Sequence, residues 1–329
     1  MPVHPPAMRA ISQVGYGAPE QVLRCEEIGL PAVGAGEVLI RMCATSVNTP
    51  DWATVVGEPS VLRLGVGLRR PRVPVRGSDV SGVVAAAGSG VTDLVPGDEV
   101  FGSARGTFAE YVVAPAAQVI KKPAGLGFTD AAASVMTGLT AMVAMRDVAQ
   151  VGAGTKVLVN GASGGVGTMA VQIAAALGAE VTGVCGPGHV DLVRSLGADH
   201  VIDYSSDDFT QGQARFDVVL DNVLNHPPKA TARVLAPGGL FIPNSLGYTG
   251  GLFAGLPRTA RAVLMGFGRT KVKLVSPKVT RENLTALARL LEPGGIRVVI
   301  DKTYPLDQAA RAVAQVLGHH AGGKVAITA

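Results

Sequence analysis

The residues best suited by type and spacing to do chemistry are four glycines in the stretch KVLVNGASGGVGTMAVQIAAALG. Gly161, Gly164, Gly165 and Gly167 follow a short β-branched run and precede a run of good helix formers. A strand that turns through glycines into a helix lets a pyrophosphate approach the backbone with no Cβ in the way. The start of the helix then offers unpaired N–H groups and a partial positive charge. This pattern predicts a dinucleotide site, and the alternative is a turn with a structural role only.

The end of the second strand of such a unit normally decides which nucleotide binds. An NAD site carries Asp or Glu there to accept from the ribose 2′-hydroxyl. Here the strand ends at Cys185 and Gly186, and no acid occurs before Asp191. The gap leaves room for a 2′-phosphate, although no Arg or Lys stands in the loop, and the nearest candidates to bind it are His189 and Tyr204. NADPH is therefore the expected cofactor, with NADH possible; a surface histidine and a packing tyrosine are the alternatives for these two residues.

Composition excludes several classes of protein. A chain of 329 residues that is 47% hydrophobic and 16% charged has enough apolar surface to fold into about two domains. The formal charge is +4, and the densest basic cluster (Arg69, Arg70, Arg72 and Arg76) is broken by prolines and contains no aromatic residue. We therefore expect no nucleic-acid partner.

Cysteine usage and the N-terminus bear on where the protein works. The three cysteines, Cys25, Cys43 and Cys185, form no CxxC pair, which is typical of a reducing compartment. The first residues show no basic region followed by an apolar one, and the uncharged stretch between Lys156 and Glu180 is interrupted by glycines. A cytoplasmic protein with no membrane partner is expected.

Two patterns divide the chain. Between Val38 and about Val113 short strand-like runs alternate with turns, which indicates a β-rich domain. After about Thr129, apolar β-branched runs alternate with helical stretches every 20 to 25 residues, the pattern of a doubly wound parallel sheet in an α/β protein. The predicted strands are 156–160, 180–184, 200–203, 216–221 and 239–244, with 271–275 as the last one. A helix at 282–292 and a strand pair near the C-terminus complete the prediction.

Four motifs together resemble one family. NGASGGVG (160–167), GADHVIDY (197–204), PGDEVFG (96–102) and FAEYVV (108–113) are similar to the medium-chain dehydrogenase/reductase superfamily, in its zinc-free quinone oxidoreductase branch. The resemblance implies a GroES-like catalytic domain built from residues 1–125 and 277–329, and a Rossmann domain at 126–276. It also implies a homodimer joined through equivalent edge strands, which here would be 271–275.

The zinc members of that superfamily use a cysteine and a later Gly-His-Glu as metal ligands. The corresponding positions here are Asn48 and Gly77-Ser78-Asp79. Catalytic zinc needs three nitrogen, sulfur or oxygen ligands. We therefore expect no metal.

The resemblance also carries functional roles to individual residues. Asn48 matches an asparagine beside the nicotinamide and substrate, and Thr140 a threonine near the nicotinamide amide; the alternatives are a turn cap and a hydroxyl bonded to its own helix. Tyr248 is the remaining candidate for catalysis. The expected cofactor contacts are Asn48, Thr140, Gly161, Ser163, Gly164, Gly165, Val166, Gly167, Cys185, Gly186, His189, Tyr204, Asn222, Val223 and Lys324. The sequence departs from the family at Ala53, Leu224 and Gly322, where Tyr, Gly and Arg are usual.

These observations predict a zinc-independent, NADPH-dependent oxidoreductase that transfers hydride to a quinone or an α,β-unsaturated carbonyl compound. The substrate would be a hydrophobic, conjugated small molecule. Two alternatives stay open. One is a carbonyl reductase or alcohol dehydrogenase of the same fold, with Tyr248 as proton donor. The other is an NADPH-binding protein without turnover, which the departures at Ala53, Leu224 and Gly322 favour.

Overall fold

A computed structural model of the chain describes residues 5–245, 255–268, 270–318 and 321–329. Two compact units can be distinguished. Unit 1 consists of Met1–Leu139 with Lys278–Ala329, and unit 2 of Thr140–Pro277. The domain boundaries at 126 and 277 stay a prediction, because a compact unit is not yet a domain that folds by itself.

Both units contain strands and helices. The strands are β1 (Ala7–Gln13), β2 (Leu23–Gly29), β3 (Glu37–Ser46), β4 (Asp79–Ala87), β5 (Glu99–Ser103), β6 (Tyr111–Pro115), β7 (Val119–Lys121), β8 (Lys156–Asn160), β9 (Glu180–Cys185), β10 (His200–Asp203), β11 (Phe216–Asp221), β12 (Leu235–Pro243), β13 (Lys271–Val272), β14 (Ile300–Pro305) and β15 (Lys324–Thr328). The α-helices are α1 (Pro19–Val22), α2 (Thr49–Val56), α3 (Arg63–Val66), α4 (Phe128–Met142), α5 (Gly165–Ala176), α6 (Val190–Ser195), α7 (Pro228–Arg233), α8 (Leu256–Met265), α9 (Arg281–Leu290) and α10 (Ala309–Leu317).

Unit 2 is built on a parallel sheet of six strands. Their order is β10-β9-β8-β11-β12-β13, which is the order of a doubly wound dinucleotide-binding sheet. The strands are runs of β-branched residues because both faces of such a sheet are covered, and Val157, Leu158 and Val159 are fully buried. The predicted Rossmann sheet is thus confirmed. Its last strand, β13, is shorter than the predicted 271–275.

The uncharged stretch between Lys156 and Glu180 folds as strand β8, the glycine turn and helix α5. Another helical segment, Phe128–Val148, is long and apolar enough to cross a membrane by length and composition alone. Of its most apolar window, 72% is buried inside the structure. Such burial is typical of a core helix.

Unit 1 contains the β-rich domain that the sequence predicted. A seven-stranded sheet runs β14-β15-β3-β4-β5-β7, with β6 also paired to β3, and β1 and β2 form a separate antiparallel pair. Strand β15 comes from the C-terminal part of the chain and pairs antiparallel with the end of β3, so that Ala326 faces Ser46. On the other side of β3, strand β4 pairs antiparallel, and Ala44 faces Ser81. Extending both registers brings the starts of β4 and β15 to the end of β3, where helix α2 begins.

Candidate active site

Six polar residues of unit 1 lie together at this junction, and we call them the buried polar cluster: Ser46, Asn48, Asp51, Ser78, Asp79 and Lys324. Ser46 ends β3, Asp79 begins β4, Lys324 begins β15, and Asn48 and Asp51 belong to the start of α2. Apart from Ser78, each of them is at most 7% exposed. Buried polar groups require partners, so the hydrogen bonds of the cluster determine what it can do.

The side-chain amide of Asn48 is at the centre of the cluster. Its Oδ1 accepts a hydrogen bond of 2.6 Å from the ammonium group of Lys324. Its Nδ2 donates to Asp79 Oδ2 at 2.8 Å and to Ser78 Oγ at 3.3 Å. Both amide hydrogens therefore have protein acceptors.

Asp79 is fully buried, and four groups meet its carboxylate. Ser46 Oγ and Asn48 Nδ2 donate to Oδ2, and the backbone N–H of Met136 donates to Oδ1 at 3.2 Å. Lys324 Nζ lies 3.9 Å from Oδ2. Burial raises the pKa of Asp79, while Lys324 and these hydrogen bonds act in the opposite direction.

Lys324 brings a positive charge into the interior of unit 1. Its ammonium group donates to the backbone carbonyl of Val47 at 2.9 Å as well as to Asn48. Burial lowers the pKa of Lys324, and the carboxylates of Asp79 and Asp51 oppose that change. The cluster therefore combines one ammonium group with two carboxyl groups.

Asp51 is the acid of the cluster that titrates near neutral pH. Its Oδ2 accepts from the backbone N–H of Asn48 at 2.8 Å, and its Oδ1 accepts from the backbone N–H of Gly77 at 3.2 Å. Burial raises the pKa of Asp51 to about 7, and the carboxylate of Asp79 adds to the rise. At neutral pH, a carboxyl group with such a pKa is protonated in a substantial fraction of the molecules.

The positions at which related proteins carry zinc ligands come together in this cluster. Asn48, Ser78 and Asp79 are joined by the two hydrogen bonds of the Asn48 amide. An amide, a hydroxyl and one carboxylate are a poor donor set for zinc, which prefers thiolate, imidazole and carboxylate. Among the described residues, no group of three or more His, Cys, Asp or Glu is placed to hold a metal ion. These residues do not fit a catalytic zinc.

The glycine turn of unit 2 joins β8 to α5, and its glycines have different roles. Gly161 has φ 74°, and a Cβ on it would lie 2.8 Å from Val223 Cγ2. A Cβ on Gly167 would collide with the carbonyl oxygen of Gly161, so this glycine allows the helix to pack on the turn. A Cβ on Gly164 would lie 3.5 Å from that oxygen, an ordinary contact. Gly164 directly precedes the helix, and a side chain there would meet no steric clash from its Cβ.

A network of amide groups supports the neighbouring loop at the carboxyl ends of the parallel strands. Asn160 Nδ2 donates to Asp221 Oδ1 at 2.8 Å, and the backbone N–H of Leu224 donates to the same oxygen at 2.8 Å. Leu224 has φ 57°, in the left-handed region that favours glycine. Its side chain is fully buried. Burial and the Asp221 hydrogen bond explain how a leucine is accommodated where the resembling family usually has glycine.

The end of strand β9 carries the residues expected to select the nucleotide. A Cβ on Gly186 would lie 2.9 Å from the hydroxyl oxygen of Tyr204, so the absence of a side chain at 186 makes room for this tyrosine. Tyr204 is 60% exposed. Cys185 is buried, and burial raises the pKa of its thiol to about 11. Cys185 is therefore no nucleophile at neutral pH.

The predicted site residues thus fall into groups. Asn48 and Lys324 are in direct contact in unit 1, whereas Asn222 and Val223 lie against the glycine turn in unit 2. Thr140 lies in α4 and is 6% exposed. Tyr248 lies outside the described residues.

The sequence analysis did not identify four members of the cluster as candidate site residues: Ser46, Asp51, Ser78 and Asp79. The available signal for Asp79 was its position as the only acid at the start of an apolar run, DVSGVVAAA. Such a residue is fully buried only when partners are present. The partners come from β3 and β15, and the pairing of those strands could not be read from the sequence.

Comparison with known proteins gives consistent matches. A family model described as the alcohol dehydrogenase GroES-like domain matches residues 34–124, and one described as zinc-binding dehydrogenase matches residues 196–327. The chloroplast envelope quinone oxidoreductase homolog of Arabidopsis thaliana is 32% identical over 333 residues, which are 97% of this chain and 98% of that protein.

Two solved structures are also similar. The quinone oxidoreductase from Coxiella burnetii has a TM-score of 0.85 and 26% identity, covering 98% of this chain and 99% of that chain. The Escherichia coli quinone oxidoreductase complexed with NADPH has a TM-score of 0.82 and 25% identity, covering 98% of this chain and 100% of that chain. Similarity therefore extends over both units.

The raised pKa of Asp51 predicts how stability depends on pH. Its folded pKa of about 7 exceeds the ordinary value of 3.8, so the folded state binds the proton more tightly. This contribution to stability is complete below pH 4 and is lost as the pH rises to about 7. Between pH 5 and pH 8, Asp51 should lower the free energy of unfolding by roughly 2 to 3 kcal/mol.

Urea unfolding of Asp51→Asn at both pH values tests this prediction. The variant should show a smaller decrease between pH 5 and pH 8 than the wild type, whatever its absolute stability. Asp191→Asn, at a fully exposed carboxylate, is the matched control and should keep the wild-type decrease. An equal decrease in all three proteins would contradict the assignment.

Proposed function

We propose that this chain, which belongs to the quinone oxidoreductase branch of the medium-chain dehydrogenase/reductase superfamily, is a zinc-independent oxidoreductase that reduces quinones or α,β-unsaturated carbonyl compounds with NADPH. The observation that carries the proposal is the glycine turn between β8 and α5 in a sheet of the dinucleotide-binding order, with no side chain at Gly164 or Gly165 where the helix begins. Related proteins named as quinone oxidoreductases, one of them complexed with NADPH, support it.

The residues of unit 2 fit the phosphates of a dinucleotide. The backbone N–H groups of Ser163 and of Gly165, Val166 and Gly167 at the start of α5 would bind the pyrophosphate. The N–H groups of Gly161 and Gly164 donate to the carbonyls of Val184 and Gly161 and hold the turn in shape. Tyr204 and His189 would contact the 2′-phosphate, with Cys185 and Gly186 lining that end. Asn222, Val223 and Thr140 would lie along the rest of the molecule. When bound, NADPH supplies the hydride.

The buried polar cluster suits the reduction of a conjugated acceptor. Hydride addition to a quinone or enone leaves negative charge spread over a conjugated oxygen, which neutral donors can stabilise. Ser78 Oγ accepts a hydrogen bond from Asn48, which in turn accepts one from Lys324. The hydroxyl hydrogen of Ser78 is then polarised through this chain. In the proposal, Ser78 donates to the acceptor oxygen, and Asn48 and Lys324 orient and polarise Ser78.

Assembly and location are finer proposals. Strand β13 is at the edge of the parallel sheet, and Leu274 beyond it is 53% exposed. An open edge of this kind invites pairing with a second copy, so we propose a homodimer. We also propose a cytoplasmic location from the reducing pattern of cysteines, with cell fractionation as the test.

The reaction is tested by NADPH consumption with a panel of quinones, enones, enals and saturated ketones. Quinones or conjugated carbonyl compounds should be reduced and saturated ketones should not, because a ketone concentrates its charge on one alkoxide oxygen. Asn48→Ala should lower kcat/KM by about 10- to 100-fold, or roughly 1.4 to 2.7 kcal/mol, with cofactor affinity changed much less. Ketone turnover as fast as enone turnover, or an Asn48→Ala enzyme with full activity, would contradict the proposal. No turnover of any acceptor, with NADPH binding intact, would favour a binding protein.

The cofactor site is tested at Gly164. Gly164→Asp places a negative charge beside the expected pyrophosphate and should weaken NADPH and NADH binding at least about tenfold, or 1.4 kcal/mol. Titration by nucleotide fluorescence measures both affinities, and the wild type should prefer NADPH modestly. Gly152→Asp adds the same charge at a glycine with no atom within 4 Å of the added Cβ, and it should bind as the wild type does. Equal weakening of nucleotide binding in both variants would show that the loss is not specific to the glycine turn, and it would contradict the proposal.

The homodimer is tested by light scattering at micromolar concentration. The expected mass is twice the 33.5 kDa of the chain. A monomer mass over the whole concentration range would contradict the proposal.

A further inference from the structure

The segment that follows α2 in unit 1 has an unusual surface. From Pro59 to Ser78 it contains five arginines and no acidic residue. Two of its leucines are among the most exposed large apolar side chains of the described residues, Leu64 at 71% and Leu68 at 69%, and Val73 is 46% exposed. Arg69, Arg70 and Arg72 are exposed among them. We call residues 64–73 the arginine loop.

The arginine loop has a defined backbone. The N–H of Gly67 donates to the carbonyl of Arg63 at 2.9 Å, and the N–H of Arg72 donates to the carbonyl of Val66 at 2.8 Å. The hydroxyl of Tyr16 donates to the carbonyl of Gly67. Gly67 has φ 130°, and a Cβ on it would collide with the carbonyl oxygen of Arg70. The turn is therefore held closed on itself and presents its apolar and basic side chains outwards.

Arg63, just before the loop, serves a different purpose. Its Nε donates to the carbonyl of Gly57 at 2.9 Å, and its guanidinium group lies 4.6 Å from the centre of the Tyr16 ring. These contacts fasten the loop to the C-terminal end of α2. Among the described residues, none forms an ion pair with Arg69, Arg70 or Arg72, so these charges are available to a partner outside the chain.

We propose that the arginine loop docks reversibly on an anionic lipid surface. Exposed leucines next to arginines match such a surface, because apolar side chains enter the acyl boundary while guanidinium groups bind lipid phosphates. The contact needs no helix that spans the bilayer. It differs from the expectation from the sequence, which named no membrane partner.

Other partners fit the loop less well. Between Trp52 and Phe101 the sequence contains no aromatic residue, so the arginine loop has no ring of its own on which a base could stack. The Tyr16 ring beside the loop already lies against the guanidinium group of Arg63. An acidic protein would match the arginines and leave the apolar side chains of Leu64, Leu68 and Val73 without a role. A lipid surface accounts for both kinds of side chain.

The number of groups indicates weak, reversible association. Each arginine near an anionic surface strengthens binding about fivefold, and three therefore contribute on the order of 100-fold. Two leucines and a valine add apolar contact but are far from a permanent anchor. Binding should therefore depend on salt.

Sedimentation of the full chain with vesicles tests the proposal. The chain should sediment with vesicles of phosphatidylcholine and phosphatidylglycerol and remain in solution with phosphatidylcholine alone. Raising the salt from about 0.02 to 0.5 M should release it. Equal sedimentation with both kinds of vesicle, or none with the anionic vesicles, would overturn the proposal.

Matched variants locate the contact. Combined Arg69→Gln, Arg70→Gln and Arg72→Gln should weaken vesicle binding on the order of 100-fold, and Leu64→Ser with Leu68→Ser about tenfold. The control combines Arg233→Gln, Arg289→Gln and Arg311→Gln, which removes three exposed arginines elsewhere and should leave binding unchanged. Thermal unfolding checks that every variant is folded. Equal loss in the control, or tighter binding to polyuridylic acid or polyglutamate than to anionic vesicles, would overturn the assignment.

Discussion

The buried ammonium group of Lys324 constrains the junction in unit 1 at which β3 ends and β4, β15 and α2 begin. A buried cation needs counter-charge and acceptors, and removal of one partner from such a group costs about 3 to 5 kcal/mol. Asp79 and Asp51 supply the charge, and the carbonyls of Val47 and Asn48 supply the acceptors. These groups come from both chain segments of unit 1. The end of β3 and the starts of β4, β15 and α2 are consequently fixed relative to one another.

The two units fix their functional groups by different means. Unit 1 uses side chains that are held by hydrogen bonds to one another and to the backbone. Unit 2 uses the shape of its backbone, since Gly161 and Gly167 allow the turn and the helix to approach closely, and Gly164 leaves no side chain where the helix begins. A site made of backbone N–H groups recognises a phosphate group, which is common to many ligands. A site made of side chains can discriminate among substrates, because a single substitution changes its polarity.

The parts that could be predicted from the sequence are those in which neighbours in the chain determine the structure. The glycine turn, the strands of the parallel sheet and the helix at 281–290 are local patterns, and all of them were found. Ser46 and Asp79 were not, because their roles depend on how β3 pairs with β4 and β15. Asn48 was recognised, but its partners were not, and the partners decide whether its amide is free to donate. Leu224 shows the same limit, since a residue with φ 57° is tolerated only through the burial and the Asp221 hydrogen bond that the fold provides.

The interrupted layout of unit 1 has a consequence for how the protein is made. A ribosome that has finished Thr140–Pro277 has completed the parallel sheet, while unit 1 still lacks Lys278–Ala329. Between the end of β3 at Ser46 and the start of β15 at Lys324, the ribosome must add some 278 residues. At about 5 to 20 residues per second, the end of β3 therefore lacks its partner strand for tens of seconds. During that interval Asp79 and Asn48 have no ammonium group to face, and an unpaired strand end is open to wrong partners. The nascent chain therefore passes through a stage in which all strands of the parallel sheet have been synthesised while unit 1 still lacks the ammonium group of its buried polar cluster.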